Sequence, residues 1–167
     1  MQKFEVVKFG PYRFIGKVAY ARTGKSDAVY KVLTTHYGDW IFETLDSMKE
    51  YTTDEIHNAA LYSWNRYEDK EQLLGLCIGR FMKADTPVPE DMDYYDIPEI
   101  LVGKGFIIGT DEGEACRFLR KEIEQQGLYK HSSAFPLSAE IYPITTGEDS
   151  PFVGFYESFE LKGGANI

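Results

Sequence analysis

Strand, helix, strand, strand: this order of patterns reads once between Tyr12 and Met82, and again between Ile100 and Leu161. A half-sheet carrying one helix buries its apolar face poorly alone, so two such units are expected to join side by side. In the first unit, Tyr12 to Ala21 (YRFIGKVAYA) reads as a strand, and Thr23-Gly-Lys-Ser-Asp27 as a loop. A stretch beginning near Ala28 is a candidate helical turn. From Gly38 to Glu50 the pattern is helical, with Ile41, Leu45 and Met48 at i, i+4, i+7 and Asp39 placed to cap the start. Asn58 to Tyr67 and Leu73 to Met82 read as strands around a charged turn, Glu68-Asp-Lys-Glu71, and so form a hairpin. In the second unit, Ile100 to Gly109 is a strand. Asp111 to Gln126 is a helix with a D-x-x-E capping box at Asp111 and Glu114, a stripe of Cys116, Leu119 and Ile123, and Gly127 to end it. Phe135 to Pro143 and Phe152 to Leu161 follow as strands, joined by a turn at Thr146-Gly-Glu-Asp149.

The expected fold class is therefore α+β: duplicated β-α-β-β halves with pseudo-twofold symmetry, an antiparallel sheet with helices on one face, and a central ligand cleft. One domain spans 1–167, with half 1 at about 10–82, a connection at 83–98 rich in proline, and half 2 at about 99–161. Residues 3–9 are an extended lead-in, and Lys162-Gly-Gly-Ala-Asn-Ile167 reads as a frayed end.

The pocket is read from Leu137-Ser138-Ala139-Glu140-Ile141-Tyr142-Pro143. Strand alternation sends Leu137, Ala139 and Ile141 to one face, and Ser138, Glu140 and Tyr142 to the other. Matching the two halves sets Tyr62 and Trp64 in the places of Glu140 and Tyr142, to within two residues. All four are then expected on the helix-free face, and the same parity argument adds Tyr156. An ordinary half-exposed strand with a solvated Glu would show the same alternation. The convergence of several rings on one acid, in a chain with 12 Tyr and 11 Phe, favours a pocket instead.

Charge narrows the partners. A formal net charge of −9 repels phosphate backbones, so no nucleic acid is expected, and cationic ligands are favoured. The start Met1-Gln-Lys-Phe-Glu5 is no signal peptide, and no apolar run approaches the ~20 residues of a membrane span. A soluble, cytoplasmic protein with no membrane partner is expected. Cys77 and Cys116 lie in apolar runs and read as buried free thiols. His36, His57 and His131 stand apart with no ligand spacing, so neither metal nor cofactor is expected. Gly103-Lys-Gly105 lacks a phosphate-loop pattern and fits a strand approached closely by its neighbours. Thr23-Gly-Lys-Ser26 lacks the upstream glycine of a phosphate loop.

Three features occur in a characteristic order: Trp40 at the first helix, the connection Thr86-Pro-Val-Pro-Glu-Asp-Met-Asp-Tyr-Tyr-Asp-Ile-Pro98, and Glu140-Ile-Tyr142. Together they resemble the GyrI-like small-molecule-binding domain, which is also the effector-binding half of some AraC-type and MerR-type regulators. The resemblance covers roughly residues 3–161. It implies a cleft for amphipathic, often cationic aromatic compounds, with Glu140 as acidic contact beside Tyr142. Tyr62, Trp64, Tyr156 and Trp40 complete the expected pocket. No helix-turn-helix pattern precedes the domain, so it reads as a stand-alone member, the oligomeric state being open.

Two chemistries fit such a pocket. A carboxylate among rings is poorly solvated, and a bound organic cation would offset that cost, helped by ring faces. Some stand-alone members resemble hydrolases of cyclopropane-bearing alkylating compounds. In that rival reading Glu140 is the general base and Tyr142 orients the attacking water. A third reading is an interaction or inhibitor module acting through the acidic surface, although a charge run such as Glu68–Glu71 is ordinarily a solvated turn.

Overall fold

The computed structural model describes residues 3–22, 26–62, 73–108, 112–132, 135, 137–142 and 152–163. Among these are nine strands and two helices. In chain order they are β1 (Lys3–Phe9), β2 (Tyr12–Arg22), α1 (Ser26–Ser47), β3 (Asn58–Tyr62), β4 (Leu73–Lys83), β5 (Asp93–Ile97), β6 (Ile100–Ile108), α2 (Glu112–Gln125), β7 (Tyr129–His131), β8 (Ser138–Tyr142) and β9 (Phe152–Leu161). A short 3₁₀ turn at Lys49–Tyr51 follows α1. All strands join one antiparallel sheet in the order β1-β6-β9-β8-β3-β4-β2-β5, with β7 pairing β9. Trp64, Asp111, the turns at 68–71 and 146–149 and the end 164–167 lie outside the described residues.

The first half runs β2-α1-β3-β4 as expected, and the second runs β6-α2-β7-β8-β9, with the short β7 inserted after its helix. The two units meet where β3 pairs β8. The extended lead-in at 3–9 is a full edge strand paired with β6. Helix α1 is longer than its pattern suggests. It begins at Ser26 and runs through Gly38 and Asp39, so Asp39 is an exposed mid-helix residue and not a cap. The reason is packing: buried Leu33 extends the Ile41–Leu45 stripe back toward the N-terminus, which outweighs the roughly 1 kcal/mol that a mid-helix glycine costs. Helix α2 ends as expected, with Gly127 in the left-handed region at φ 75° and its N–H bonded to Glu124 O at 3.0 Å.

The sheet is curled but not closed. Strands β1 and β2 lie toward opposite ends of the sheet order, yet Gly10-Pro11 alone links them. The sheet must therefore bend until its two ends approach. At this corner a Cβ on Gly10 would lie 2.8 Å from Pro98 O, and its φ of +93° suits glycine. Bending wraps the helix-free face around a cluster that includes Phe9, Phe14, Phe81, Val102, Ile141 and Tyr156. On the other face, α1 packs Leu33, Ile41 and Leu45 on Ile15, Leu76 and Ile78, and α2 packs Leu119 and Ile123 on Phe155 and Phe159. The main contacts of α1 are with β2 and β4, and those of α2 with β6, β7 and β9. The seam strands β3 and β8 thus lie between the two helices.

Candidate functional site

Alternate residues of the seam face the helices, and register arranges them in rows. Ala60 of β3, Glu140 of β8 and Phe155 of β9 stand in one row. Tyr62, Ser138 and Glu157 form the next, and Asn58 pairs with Tyr142 beyond. The face is identified by packing. Ala60, Tyr62 and Tyr142 join the α1 cluster, and Phe155 joins the α2 cluster. Ala59, Leu61, Ala139 and Ile141 lie in the opposite, helix-free cluster.

Glu140, Tyr142 and Tyr62 are therefore brought together, but on the helix-bearing face, which corrects the expectation of the helix-free one. Each is half-buried. The Tyr142 hydroxyl donates to Glu140 Oε2. Among the described residues no lysine or arginine pairs with Glu140. Trp40 is 38% exposed on α1, its ring beside Tyr37 at 6.3 Å.

Charged residues that the sequence pattern does not single out flank the row. Glu157 is buried at 1% exposure, and the Arg120 guanidinium of α2 holds it through Nε and Nη2 at 2.9–3.0 Å. Ser138 Oγ also donates to Glu157 Oε1 at 3.0 Å. On the α1 side, Arg80 donates to Asp46 Oδ1 and Asn58 Oδ1, both at 2.6 Å. Of the two strand carboxylates on this face named above, Glu157 of β9 is neutralised by a guanidinium and Glu140 of β8 is bonded to a phenol. The alternation Phe155-Tyr156-Glu157-Ser158-Phe159 is the signal that could have found Glu157, since it sets an acid in line with two rings.

Tyr156 is on the other side of the sheet, paired in register with Ala139, so it does not share a face with Glu140. It helps build a second meeting of acid and rings. Glu55, from the segment before β3, is buried there. Its Oε2 accepts the Tyr156 hydroxyl at 2.7 Å, and its Oε1 accepts the Lys104 ammonium. Phe9 stands edge-on to Tyr156 at 5.6 Å and to Tyr12 at 4.7 Å.

Burial, and then the nearby Glu55 charge, push the Tyr156 phenol well above the usual phenol range. Burial and Glu55 raise Tyr12 as well. Above pH 10 the unfolded chain's phenol ionises while folded Tyr156 keeps its proton. The unfolded state then binds fewer protons, so this contribution is whole below pH 10 and falls as pH rises, by up to about 1.4 kcal/mol per pH unit. Tyr156→Phe is expected to flatten the decline of the urea midpoint between pH 10 and 11. An unchanged slope would assign the alkaline loss to other groups.

No family model matches the chain, and no curated protein matches it. Solved structures do. The structure of SAV2435 bound to tetraphenylphosphonium matches with a TM-score of 0.62 at 7% identity, over 95% of this chain and 94% of that one. The EcmrR C-terminal domain matches at 0.60 with 17% identity, over 96% and 98%. A hydrolase from Listeria innocua matches at 0.54 with 10% identity, over 95% and 92%. The chain shares its fold with these proteins. At these identities the likeness is one of fold, and the chemistry of the site rests on the residues above. No helix among the described residues is long and apolar enough to cross a membrane.

Proposed function

We propose that the chain binds small amphipathic, cationic aromatic compounds at the seam between α1 and α2, with Glu140 as acidic anchor and Tyr62 and Tyr142 as ring contacts. One observation carries the reading. Of the three acids Glu55, Glu140 and Glu157, the first and last have a lysine or an arginine, and Glu140 has a phenol instead. A half-buried carboxylate gains most from a cation when none is built in. Tyrosine faces beside it add cation–π attraction of roughly 0.5–2 kcal/mol each. The fold supports the same reading, since one structure that shares it holds tetraphenylphosphonium, an aromatic cation.

Shape and charge are separated by two probes. Tetraphenylphosphonium and tetraphenylborate have nearly the same form and opposite charge. Calorimetric titration is expected to show binding of the cation and at least tenfold weaker binding of the anion. Equal affinity would remove Glu140 from the account and leave a purely apolar site.

A rival reading as a hydrolase draws on the Tyr142–Glu140 contact, because a phenol held on a carboxylate is also the pairing that positions water for general-base attack. Consumption of a cyclopropane-bearing electrophile by the wild type, and not by Glu140→Gln, would favour it.

A further inference from the structure

Lys104 is flanked by two glycines on β6. A Cβ on Gly103 would lie 2.3 Å from Ile123 Cδ1 and 2.8 Å from the Phe159 ring, and one on Gly105 3.1 Å from Leu119. Bare backbone at these positions lets α2 press directly on β6. Lys104 has the opposite parity, so its side chain emerges on the helix-free face. There its ammonium meets Glu55 Oε1, and stands 4.7 Å from the Tyr156 ring centroid and 5.4 Å from that of Phe9. The other Glu55 oxygen is taken by the Tyr156 hydroxyl. The Lys104 side chain is 16% exposed and that of Glu55 10%.

A carboxylate and two ring faces around one nitrogen are the elements that recognise an organic ammonium ion. Here the guest is part of the chain. We propose that this cage is a second cation site, selective for primary ammonium groups and held shut by Lys104. Selectivity follows from the contact with Glu55, which requires an N–H donor that a quaternary ammonium lacks. Closure follows from tethering: a guest on the same chain acts at millimolar or higher effective concentration, so dilute amines do not displace it. Cations arriving from solution are thereby left to the seam between the helices.

Chemical rescue tests this. Lys104→Ala removes the ammonium and most of its stem, and propylammonium replaces both. Its folded fraction, followed by circular dichroism in urea, is expected to rise with propylammonium chloride. The response should be at least tenfold more sensitive than to tetramethylammonium chloride or sodium chloride at equal ionic strength. Wild type is expected to respond to the three salts alike. Because the readout is the folded fraction, it applies whether or not the variant folds unaided. In Lys104→Ala/Glu55→Gln the preference for propylammonium is expected to vanish. Identical responses of Lys104→Ala to all three salts, or a preference that survives loss of Glu55, would overturn the proposal.

Discussion

Glu140→Gln is expected to weaken tetraphenylphosphonium binding by about 10–100-fold while leaving the urea midpoint nearly unchanged. The estimate comes from the roughly 2–3 kcal/mol of Coulomb attraction between unit charges about 6–8 Å apart at an effective dielectric of about 20, at about 1.4 kcal/mol per tenfold. Glutamine keeps the length and accepts the Tyr142 hydroxyl through its amide oxygen, so the local hydrogen bond survives. What is lost is the charge. Tyr142→Phe keeps charge and ring and removes only the hydroxyl, and it is expected to change affinity by less than tenfold. Titration calorimetry on the two variants separates the contributions. If Glu140→Gln bound the cation as tightly as wild type, the seam would not be the site, whatever else bound the ligand.

Most of the order of elements is written plainly in the sequence because hydrophobic period and turn residues are local signals; the three-residue β7 (Tyr129–His131) is too short to show a period. The strand at Phe152–Leu161 and the end of α2 at Gly127 follow from them directly. The face of β8 does not. Alternation fixes which residues of 137–142 travel together, but not which side they take. That choice is ordinarily made by assuming that the apolar set meets the helices. Here the sheet curls, so its helix-free face is as dry as the other, and Ala139 and Ile141 go there with Phe9 and Phe14. Glu140 and Tyr142 are then left to the helix side. Tyr62 follows them because β3 pairs with β8 in a register that sets Ala60 opposite Glu140. Glu55 is illegible for a different reason. It lies between secondary-structure elements, where no period operates, and its partners Lys104 and Tyr156 are 49 and 101 residues away. The Gly103-Lys-Gly105 motif carries the one local hint, a backbone kept bare on one face with a charge on the other.

The largest stability effect is expected at that ion pair. Glu55→Gln leaves the Lys104 ammonium enclosed by Tyr156 and Phe9 without its counter-charge, and Lys104→Met leaves the Glu55 carboxylate with the Tyr156 hydroxyl alone. Removing one member of a buried pair typically costs about 3–5 kcal/mol, because the survivor has lost both water and partner. Removing both leaves no uncompensated charge, and methionine fills much of the lysine stem's volume. The double variant Glu55→Gln/Lys104→Met is therefore expected to be more stable than the sum of the single losses allows, by about 2 kcal/mol or more in a urea-unfolding cycle. Losses that add to within about 0.5 kcal/mol would mean that the two groups do not interact. The sign of the coupling matters beyond stability. A pair that loses most when only one member is removed holds Lys104 in place, and a lysine held in place is what keeps the ring cage closed to other amines.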